Sequence, residues 1–346
     1  MAAVNVEPET QLAQLAAVVD TELRAFFDRL PAAAFYDMMR YQLGWKDEQL
    51  RDTAAWAGKR IRPALTLLSC QATGGDYQHA LPAAMAIELL HNFTLIHDDI
   101  EDGDGLRRNR PAVWKIWGLA QALNVGDGMH VLAKRALLDG AAAKPELPVL
   151  LELATYIDET CLRLCEGQHL DLRYQDVWDV SVDQYLAMIG GKCAALLGCA
   201  TYSGAALGTA DQGVRNAYRE FGEDIGLAFQ IRDDLLAIWG EQAQTGKPSA
   251  DLDKRKKTLP LIYAREHASP AAAARLQAAL SGDATTDSEL ADVFAILEET
   301  GARQWTIQEA GRYCDRAIAA LDGTGIQHPS QAALRALAGF SVKRSY

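Results

Sequence analysis

The sequence predicts an all-α protein formed by a single domain of roughly a dozen helices over residues 1–346. Apolar residues recur with a period of 3.6 along almost the whole chain, and no segment shows a convincing alternation of period two. Glycine- and proline-containing breaks separate these segments, but no Ser/Pro-rich linker divides the chain. Hydrophobic residues make up 49% of the composition, which is enough to bury a large core.

The expected helices follow one another between these breaks. The loop signals are at Gly74-Gly75, Gly103 to Pro111, Lys144-Pro145, Gly240 to Ser249, Ser281 to Thr286 and Gly323 to Pro329. Between them the periodicity predicts helices at 11–30, 47–57, 61–73, 78–101, 112–140, 147–174, 182–208, 212–240, 252–267, 270–280, 287–299, 302–322 and 330–338.

Charge and composition narrow the class of protein. The chain has 34 Lys+Arg against 46 Asp+Glu, a formal charge of −12, which argues against a nucleic-acid binder. Six cysteines form no C-x2-C pair, and the N-terminus lacks a basic, apolar leader, so we expect a cytoplasmic protein with reduced thiols. The uncharged segment Cys193 to Ala210 is rich in small residues, which favours a close-packed core helix over a transmembrane segment.

The most informative segment is an apolar helix that ends in a cluster of acids. It reads His91-Asn92-Phe93-Thr94-Leu95-Ile96-His97-Asp98-Asp99-Ile100-Glu101-Asp102. Asp98, Asp99 and Asp102 have spacings of three and four, so their carboxylates can converge on one helical face. Because like charges repel and the helix dipole disfavours anions at this end, a cation is expected there, and Mg2+ is the hard cation that suits such ligands.

A second acidic pair and several basic residues complete the pattern. Asp233-Asp234 lies on another apolar helix about 135 residues later, and two facing acidic helices would form a metal clamp. Bases accompany both acidic motifs, and guanidinium and ammonium groups beside carboxylates are what a diphosphate substrate requires. These bases are Lys59, Arg60, Arg62, Arg107, Arg108, Arg110, Lys192, Lys247 and the run 254–257.

The ordered motifs resemble those of the trans-isoprenyl diphosphate synthases, or polyprenyl synthetases, of the short-chain geranylgeranyl and farnesyl type. The motifs are GKRIRP, HNFTLIHDDIEDGDGLRRNRP, EGQHLDL, GGKCAALLG, FQIRDDLLAIWG and TGKP followed by DLDKRKKTLP. They cover residues of about 55–265, and the later helices would complete an isoprenoid-synthase-like helical bundle around a central cavity.

The resemblance implies a head-to-tail prenyl transfer. An allylic diphosphate (dimethylallyl, geranyl or farnesyl) ionises, Mg2+ stabilises the departing diphosphate, and the double bond of isopentenyl diphosphate attacks the cation before a proton is lost. Such a reaction needs charge stabilisation at the mouth of the site and an apolar tunnel that excludes water below it.

The resemblance also implies roles for individual residues. Asp98 and Asp102 would bind two Mg2+ ions and Asp233 a third, with Asp99 and Asp234 in support. The allylic diphosphate would be held by Arg107, Lys192, Gln230, Lys247 and Lys256, and isopentenyl diphosphate by Lys59, Arg62, His91 and Arg108. His97 is expected to be structural.

Two departures from the family pattern leave alternatives open. Ala237 stands where a third Asp is usual in the second acidic motif, and Cys193 stands where Thr is usual after Lys192. The spacing from Asp233 to Ala237 and Glu241 also matches the second metal motif of class I terpene cyclases, with Ala at one ligand position. A cyclase needs no isopentenyl diphosphate site, so the implied isopentenyl diphosphate residues favour the synthase. A non-catalytic subunit of a heteromeric synthase is disfavoured because the first motif keeps all three Asp residues.

Residues one helical turn before Asp98 are expected to set the product length. The fifth upstream residue is Phe93 and the fourth is Thr94. Family farnesyl synthases commonly block the tunnel with an aromatic pair, or with one aromatic and a two-residue insertion, and this chain has neither. We therefore expect a C20 product, with C15 as the alternative and Met129 as another possible floor of the tunnel. The family resemblance further implies a homodimer.

Overall fold

The computed structural model describes residues 8–53, 58, 60–139, 147–245, 257–281 and 286–343. Over these residues the all-helical expectation is confirmed, with one short hairpin as the exception. The first half contains α1 (Pro8–Asp28), α2 (Ala34–Gln42), α3 (Ile61–Ala72), α4 (Tyr77–Glu101), β1 (Leu106–Arg107), β2 (Arg110–Pro111), α5 (Val113–Trp117), α6 (Leu119–Asp139) and α7 (Leu147–Asp176).

The second half begins with an interrupted helix. It consists of α8 (Val182–Ile189), a π-helical segment (Gly190–Ala194) and α9 (Ala195–Gly208). The remaining helices are α10 (Gln212–Thr245), α11 (Leu259–His267), α12 (Pro270–Ser281), α13 (Asp287–Glu299), α14 (Ala302–Gly323) and α15 (Pro329–Lys343).

Three expected helices are corrected by the structure. The helix expected to end at Gly240 continues to Thr245 as α10. The described part of 47–57 is a turn because the Asp47 carboxylate accepts hydrogen bonds from the backbone N–H groups of Gln49 and Arg51. The expected helix 112–140 is divided at Gly118, whose φ of 83° ends α5. Helix α2 was not expected at all.

The chain divides into two compact units. Unit 1 comprises residues 1–161, 199–219 and 324–334, and unit 2 comprises 162–198, 220–323 and 335–346. The unit boundaries at 161, 198, 219 and 334 fall inside helices α7, α9, α10 and α15. The single polyprenyl synthetase domain over 1–346 stays a prediction.

In unit 1, the small residues of α9 allow it to approach α3 closely. A Cβ at Gly204 would collide with the carbonyl oxygen of Thr66, so only glycine fits at this contact. Gly208 is similarly close to α3, with 2.6 Å between its ideal Cβ position and the carbonyl oxygen of Cys70. The helix Val182–Gly208 is the one helix of the described chain that is long and apolar enough to cross a membrane, yet 67% of its apolar window is buried. Its burial identifies it as a core helix, as its composition predicts.

Unit 2 contains two hydrophobic clusters. One joins α10, α11, α12 and α13 around residues such as Leu235, Leu276 and Val293. The other joins α8, α10, α11 and α14 around residues such as Tyr185 and Ile231. Because both clusters include residues beside Asp233-Asp234, the second acidic motif lies on a helix held from several sides.

Candidate active site

The hairpin that follows the first acidic motif positions Arg107. Arg107 pairs with Arg110 across an antiparallel two-strand ladder, and the connecting residues Arg108 and Asn109 have φ values of 54° and 60°. Two left-handed residues in a two-residue loop define a type I′ turn, a conformation that costs non-glycine residues energy and persists when surrounding contacts fix it.

Contacts with α2 and with the loop that follows it fix this turn. The Arg110 guanidinium donates to the carbonyl oxygens of Tyr41 (3.3 Å) and Lys46 (2.6 Å). The Tyr41 hydroxyl in turn donates to the carbonyl oxygen of Pro111 at 2.6 Å. These contacts anchor the second strand of the hairpin, while Arg107 on the first strand reaches the acids.

Arg107 carries positive charge to the acidic end of α4. Its Nε donates to Oδ1 of Asp99 at 2.7 Å, its Nη2 donates to the same oxygen, and Nη2 lies 3.5 Å from Oδ2 of Asp98. The sequence predicts Arg107 as a diphosphate ligand, whereas the structure shows it pairing with the acids. A guanidinium has five N–H donors, and these contacts use only those on Nε and Nη2.

The three carboxylates of the first motif have different environments. Asp99 is buried, and burial raises its pKa to about 6, against the lowering effect of Arg107. Asp98 and Asp102 are half-buried. Within the described ranges, no three His, Cys, Asp or Glu side chains form a metal-binding group, so the expected convergence of all three acids is not seen.

These acids nonetheless fit Mg2+. The Oδ2 atom of Asp99 is buried and has no hydrogen-bond partner among the described residues, which is a costly state for a carboxylate oxygen. Mg2+ binds through one or two carboxylates and keeps water and substrate phosphate as its other ligands, so it does not need a cage of three protein donors. The donor set is all hard oxygen, as that cation prefers.

A basic cluster lies next to the first motif in unit 1. Nη1 of Arg62 lies 3.3 Å from Nε2 of His91. Burial, and then the charges of Arg62, Arg108 and Arg107, hold the pKa of His91 well below its usual range, so the imidazole is neutral. The backbone of Gly58, with φ of 90°, faces Arg108, and a Cβ there would lie 3.0 Å from the guanidinium carbon. The structure thus brings together three of the four predicted isopentenyl diphosphate residues.

Phe93 packs between two histidines. Its ring centroid lies 4.8 Å from that of His97 and 5.1 Å from that of His130 on α6. The hydroxyl of Thr94 donates to the carbonyl oxygen of His91, one turn back on the same helix. His130 was missed in the sequence because nothing in its spacing connects α6 with a residue 37 positions earlier. Met129, the neighbouring candidate, is fully buried.

In unit 2, Lys192 occupies the π-helical segment. The segment lies against α7, where a Cβ at Gly167 would collide with the backbone nitrogen of Lys192 and a Cβ at Gly191 would lie 2.7 Å from the carbonyl oxygen of Arg163. Lys192 Nζ donates to Oδ2 of Asp171 at 2.5 Å. The predicted diphosphate ligand is thus paired with an acid of the EGQHLDL segment that the sequence did not single out.

The same segment of α7 contains Gln168, whose side-chain oxygen and nitrogen are both buried without a hydrogen-bond partner in the described chain. The EGQHLDL motif was the available signal for both Asp171 and Gln168.

The second acidic motif combines one saturated carboxylate with one perturbed carboxylate. Asp234 is buried and accepts hydrogen bonds from the Tyr185 hydroxyl (2.7 Å), the backbone N–H of Leu259 (3.0 Å) and Nε2 of Gln230 (3.1 Å). Asp233 has its pKa raised to about 7 by burial and by Asp234, against the opposing effect of Arg232. Asp233 is therefore the carboxylate of this pair that suits a cation.

Gln230, the predicted diphosphate ligand, connects two neighbours in this structure. Its amide nitrogen holds Asp234, and its amide oxygen accepts a hydrogen bond from the Cys193 thiol at 3.2 Å. Ala237 is half-buried one turn after Asp233. Lys59, Lys247 and Lys256 lie outside the described residues.

Comparison with known proteins gives the class to which this fold and these motifs belong. The sequence model of the family described as Polyprenyl synthetase matches residues 45–297. The chain belongs to the polyprenyl synthetase family. Within that family it is a Mg2+-dependent prenyltransferase, a short-chain trans-prenyl diphosphate synthase of the farnesyl and geranylgeranyl type.

Similar sequences include synthases with two product lengths. The chain is 40% identical over 331 residues to (2E,6E)-farnesyl diphosphate synthase of Mycobacterium tuberculosis, covering 94% of this chain and 90% of that protein. It is 39% identical over 285 residues to geranylgeranyl diphosphate synthase of the same organism, covering 82% and 80%.

Solved structures agree with the fold. The polyprenyl synthetase from Streptomyces coelicolor matches with a TM-score of 0.85 at 38% identity, covering 95% of this chain and 98% of that one. The geranylgeranyl pyrophosphate synthase from Corynebacterium glutamicum, complexed with isoprenyl diphosphate and magnesium, matches with a TM-score of 0.80 at 26% identity, covering 96% and 99%.

The close contact at Gly167 predicts that Gly167→Ala displaces the segment containing Lys192. We expect a destabilisation of about 1–3 kcal/mol from overpacking and a loss of prenyl transfer of about 100-fold from misplaced lysine. Measurements of thermal unfolding and of product formation test this. Gly190→Ala is the matched control, since a Cβ there meets no described heavy atom within 4 Å. Wild-type activity in Gly167→Ala would contradict the assigned contact.

Proposed function

We propose that this enzyme condenses isopentenyl diphosphate with allylic diphosphates up to farnesyl diphosphate and releases geranylgeranyl diphosphate. The observation that carries the proposal is the end of α4, where Arg107 contacts Asp99 and lies near Asp98, while Arg62, His91 and Arg108 form a basic cluster in the same unit. The carboxylates would bind a diphosphate through metal ions, and the basic cluster would bind a second diphosphate directly. This combination suits a transfer between two diphosphate substrates. A cyclase would have no use for the second cluster.

We propose that three Mg2+ ions act in this chain. Asp98 and Asp102 would hold two ions, and Asp233, whose pKa is raised to about 7, would hold the third. Asp99 and Asp234 would support them, since Asp99 is paired with Arg107 and Asp234 is saturated by three donors. When bound, the ions would stabilise negative charge on the departing diphosphate.

The side chains of the protein would supply binding and orientation. Lys192 and Gln230, with Lys247 and Lys256, would bind the allylic diphosphate, and Arg107 would add donors while orienting Asp98 and Asp99. Lys59, Arg62 and Arg108 would bind isopentenyl diphosphate through charge, and neutral His91 through a hydrogen bond. Holding both substrates in contact converts a bimolecular reaction into an effectively intramolecular one.

Asp98→Ala tests the assignment of the reaction. Purified protein with Mg2+, farnesyl diphosphate and labelled isopentenyl diphosphate is expected to form longer prenyl diphosphates, and the variant is expected to lose about 10³-fold in rate because a charge-stabilising ligand is removed.

Asp127→Ala, at an exposed carboxylate of α6, is the matched control and keeps the activity. Cyclic hydrocarbon formed from geranylgeranyl diphosphate alone would support the cyclase instead. Full activity in Asp98→Ala would overturn the metal assignment.

The C20 product is proposed from the residues one turn before Asp98. Phe93 contributes one aromatic ring, packed between His97 and His130, while the small Thr94 side chain is bonded back to its own helix. A single aromatic wall leaves more room than an aromatic pair. Sequence identity does not decide the length, because the farnesyl and geranylgeranyl relatives are equally similar.

Phe93→Ala and His130→Ala are both expected to move the product distribution beyond C20, because each removes one ring of the stack. Chromatography of the dephosphorylated products measures the chain length. Leu162→Ala, at an exposed position of α7, is the control and leaves the distribution unchanged. A strict C20 limit in Phe93→Ala would show that the floor lies elsewhere, with Met129 next to be tested.

We propose a homodimer that uses α6 and the start of α7. Six of the ten exposed large hydrophobic side chains of the described chain lie there, namely Leu119, Leu123, Val131, Leu138, Leu147 and Leu151. Lys134 of α6 and Asp158 of α7 form a salt bridge at 3.0 Å, so the two helices present one surface. A concentrated apolar surface of this kind is typical of an interface between subunits.

Leu151→Glu is expected to convert the dimer into a monomer, because it places a charge in the apolar contact. Sedimentation velocity over a range of protein concentrations measures the change. Val177→Glu, at an exposed residue outside this surface, is the control. A wild-type protein that sediments as a monomer at all concentrations would refute the dimer.

We infer a cytoplasmic location from the thiols. None of the six cysteines forms a disulfide, and four of them are buried, as expected for a protein of a reducing compartment. Reactivity of six thiols per chain after denaturation without reductant would support this location, and fewer would oppose it.

A further inference from the structure

Arg60 is a buried arginine in a backbone conformation that non-glycine residues rarely adopt. It is the N-cap of α3, with φ of 45° and ψ of 44°, and its guanidinium is 5% exposed. It lies between Gly58, whose backbone faces Arg108, and Arg62, which contacts His91. The conformation of Arg60 therefore determines how the chain enters the isopentenyl diphosphate cluster.

Three contacts hold the Arg60 guanidinium. Nη1 donates to Oε1 of Glu88 at 3.0 Å, and Nη2 donates to Oδ1 of Asp20 and to the carbonyl oxygen of Leu43 at 3.4 Å. Glu88 is buried on α4 and also accepts a hydrogen bond from Asn92 at 2.9 Å. A buried guanidinium between two carboxylates is a fixed triad of charges, because moving any member leaves a buried charge uncompensated.

Asp20 is the member of this network that lies on α1, outside the residues that the family model matches. It is bound on two further sides, by the indole N–H of Trp45 at 3.0 Å and by Nε of Arg24 at 2.8 Å. These donors and the charge of Arg60 lower the pKa of Asp20 although burial opposes them, so the carboxylate is ionised at neutral pH.

Glu88 extends the network toward the substrate residues. Burial lowers the pKa of Arg108, and the negative charge of Glu88 opposes this by stabilising the charged guanidinium. One carboxylate on α4 thus faces both Arg60, which shapes the loop, and Arg108, which lies against Gly58 of that loop. Glu88 therefore interacts electrostatically with both the network and the basic cluster.

We propose that Asp20, Arg60 and Glu88 are positioning residues for isopentenyl diphosphate, and that α1 thereby belongs to the machinery that binds this substrate. The three side chains fix the left-handed turn at Arg60, which sets the placement of Arg62 and of the Gly58 backbone behind Arg108. This inference rests on the proposed function, since it names one of the two substrates of that reaction.

Asp20→Asn tests the proposal with a side chain of the same shape and no charge. Steady-state kinetics are measured for each substrate at saturation of the other, together with thermal unfolding. We expect KM for isopentenyl diphosphate to rise about tenfold, because small displacements of binding groups have large effects. KM for farnesyl diphosphate and kcat at saturation are expected to change less than about twofold, since the remaining machinery is untouched.

Arg24→Gln is the matched control, because it removes the exposed partner of the same carboxylate, and it leaves both KM values unchanged. Trp45→Phe removes the indole donor to Asp20 and keeps an aromatic ring beside Arg24 and Arg60, so it provides a milder test if Asp20→Asn does not fold, with a smaller rise in the same KM. A lowered unfolding temperature with both KM values unchanged would reduce the network to a structural role. Equal rises in both KM values would also overturn the proposal.

Failure of this inference is distinguishable from failure of the proposed function. A wild-type protein without prenyl transfer refutes the function itself. An active wild-type enzyme whose Asp20→Asn and Trp45→Phe variants keep the normal KM for isopentenyl diphosphate refutes the positioning role alone.

Discussion

The first acidic motif depends on one electrostatic constraint, the presence of like charges at the C-terminus of a buried helix. Helix α4 is apolar along most of its length and ends at Glu101, so Asp98, Asp99 and Asp102 lie where the helix dipole disfavours anions. Arg107 offsets this charge, and the two left-handed residues that allow the hairpin to return cost on the order of 1–3 kcal/mol each. The contacts of Arg110 and Tyr41 at the second strand stabilise that turn.

In unit 2 the acidic pair lies inside α10 (Gln212–Thr245) rather than at a helix end, and its environment differs from that of the first motif. The Tyr185 hydroxyl, the Gln230 amide and the backbone N–H of Leu259 all donate to Asp234, so this carboxylate fixes Tyr185, Gln230 and the start of α11. Asp233 accepts no such set of hydrogen bonds from the described residues, and burial and the neighbouring Asp234 raise its pKa to about 7. Asp234 therefore organises the helices, and Asp233 is the carboxylate of the pair that suits a cation.

The sequence predicted the helices and the chemistry of the site better than it predicted contacts. Periodicity identified α4 and α10 because apolar faces are local features, but α10 continues past the expected break at Gly240 to Thr245. The turn at Asp47 was missed because a side chain competes locally for backbone donors, which apolar spacing does not reveal.

The partners of functional residues were the hardest to predict. Asp171 for Lys192, His130 for Phe93 and Asp20 for Arg60 are each brought together by tertiary packing over long stretches of chain. Roles assigned by resemblance could name Arg107, Lys192 and Gln230. They could not show that each of the three is already bound to a carboxylate of its own unit.

The two departures from the family pattern can be understood through Gln230. Its amide nitrogen must face Asp234, because a carboxylate only accepts hydrogen bonds, and its amide oxygen is thereby turned toward residue 193. That oxygen requires a donor, which the thiol of Cys193 supplies more weakly than a hydroxyl would. Asp234 is fixed by Tyr185, Leu259 and Gln230, none of which involves position 237. Alanine at 237 thus removes a carboxylate without loosening Asp234, which organises the motif. Cysteine at 193 holds the Gln230 amide less firmly than a hydroxyl would, but in the same orientation.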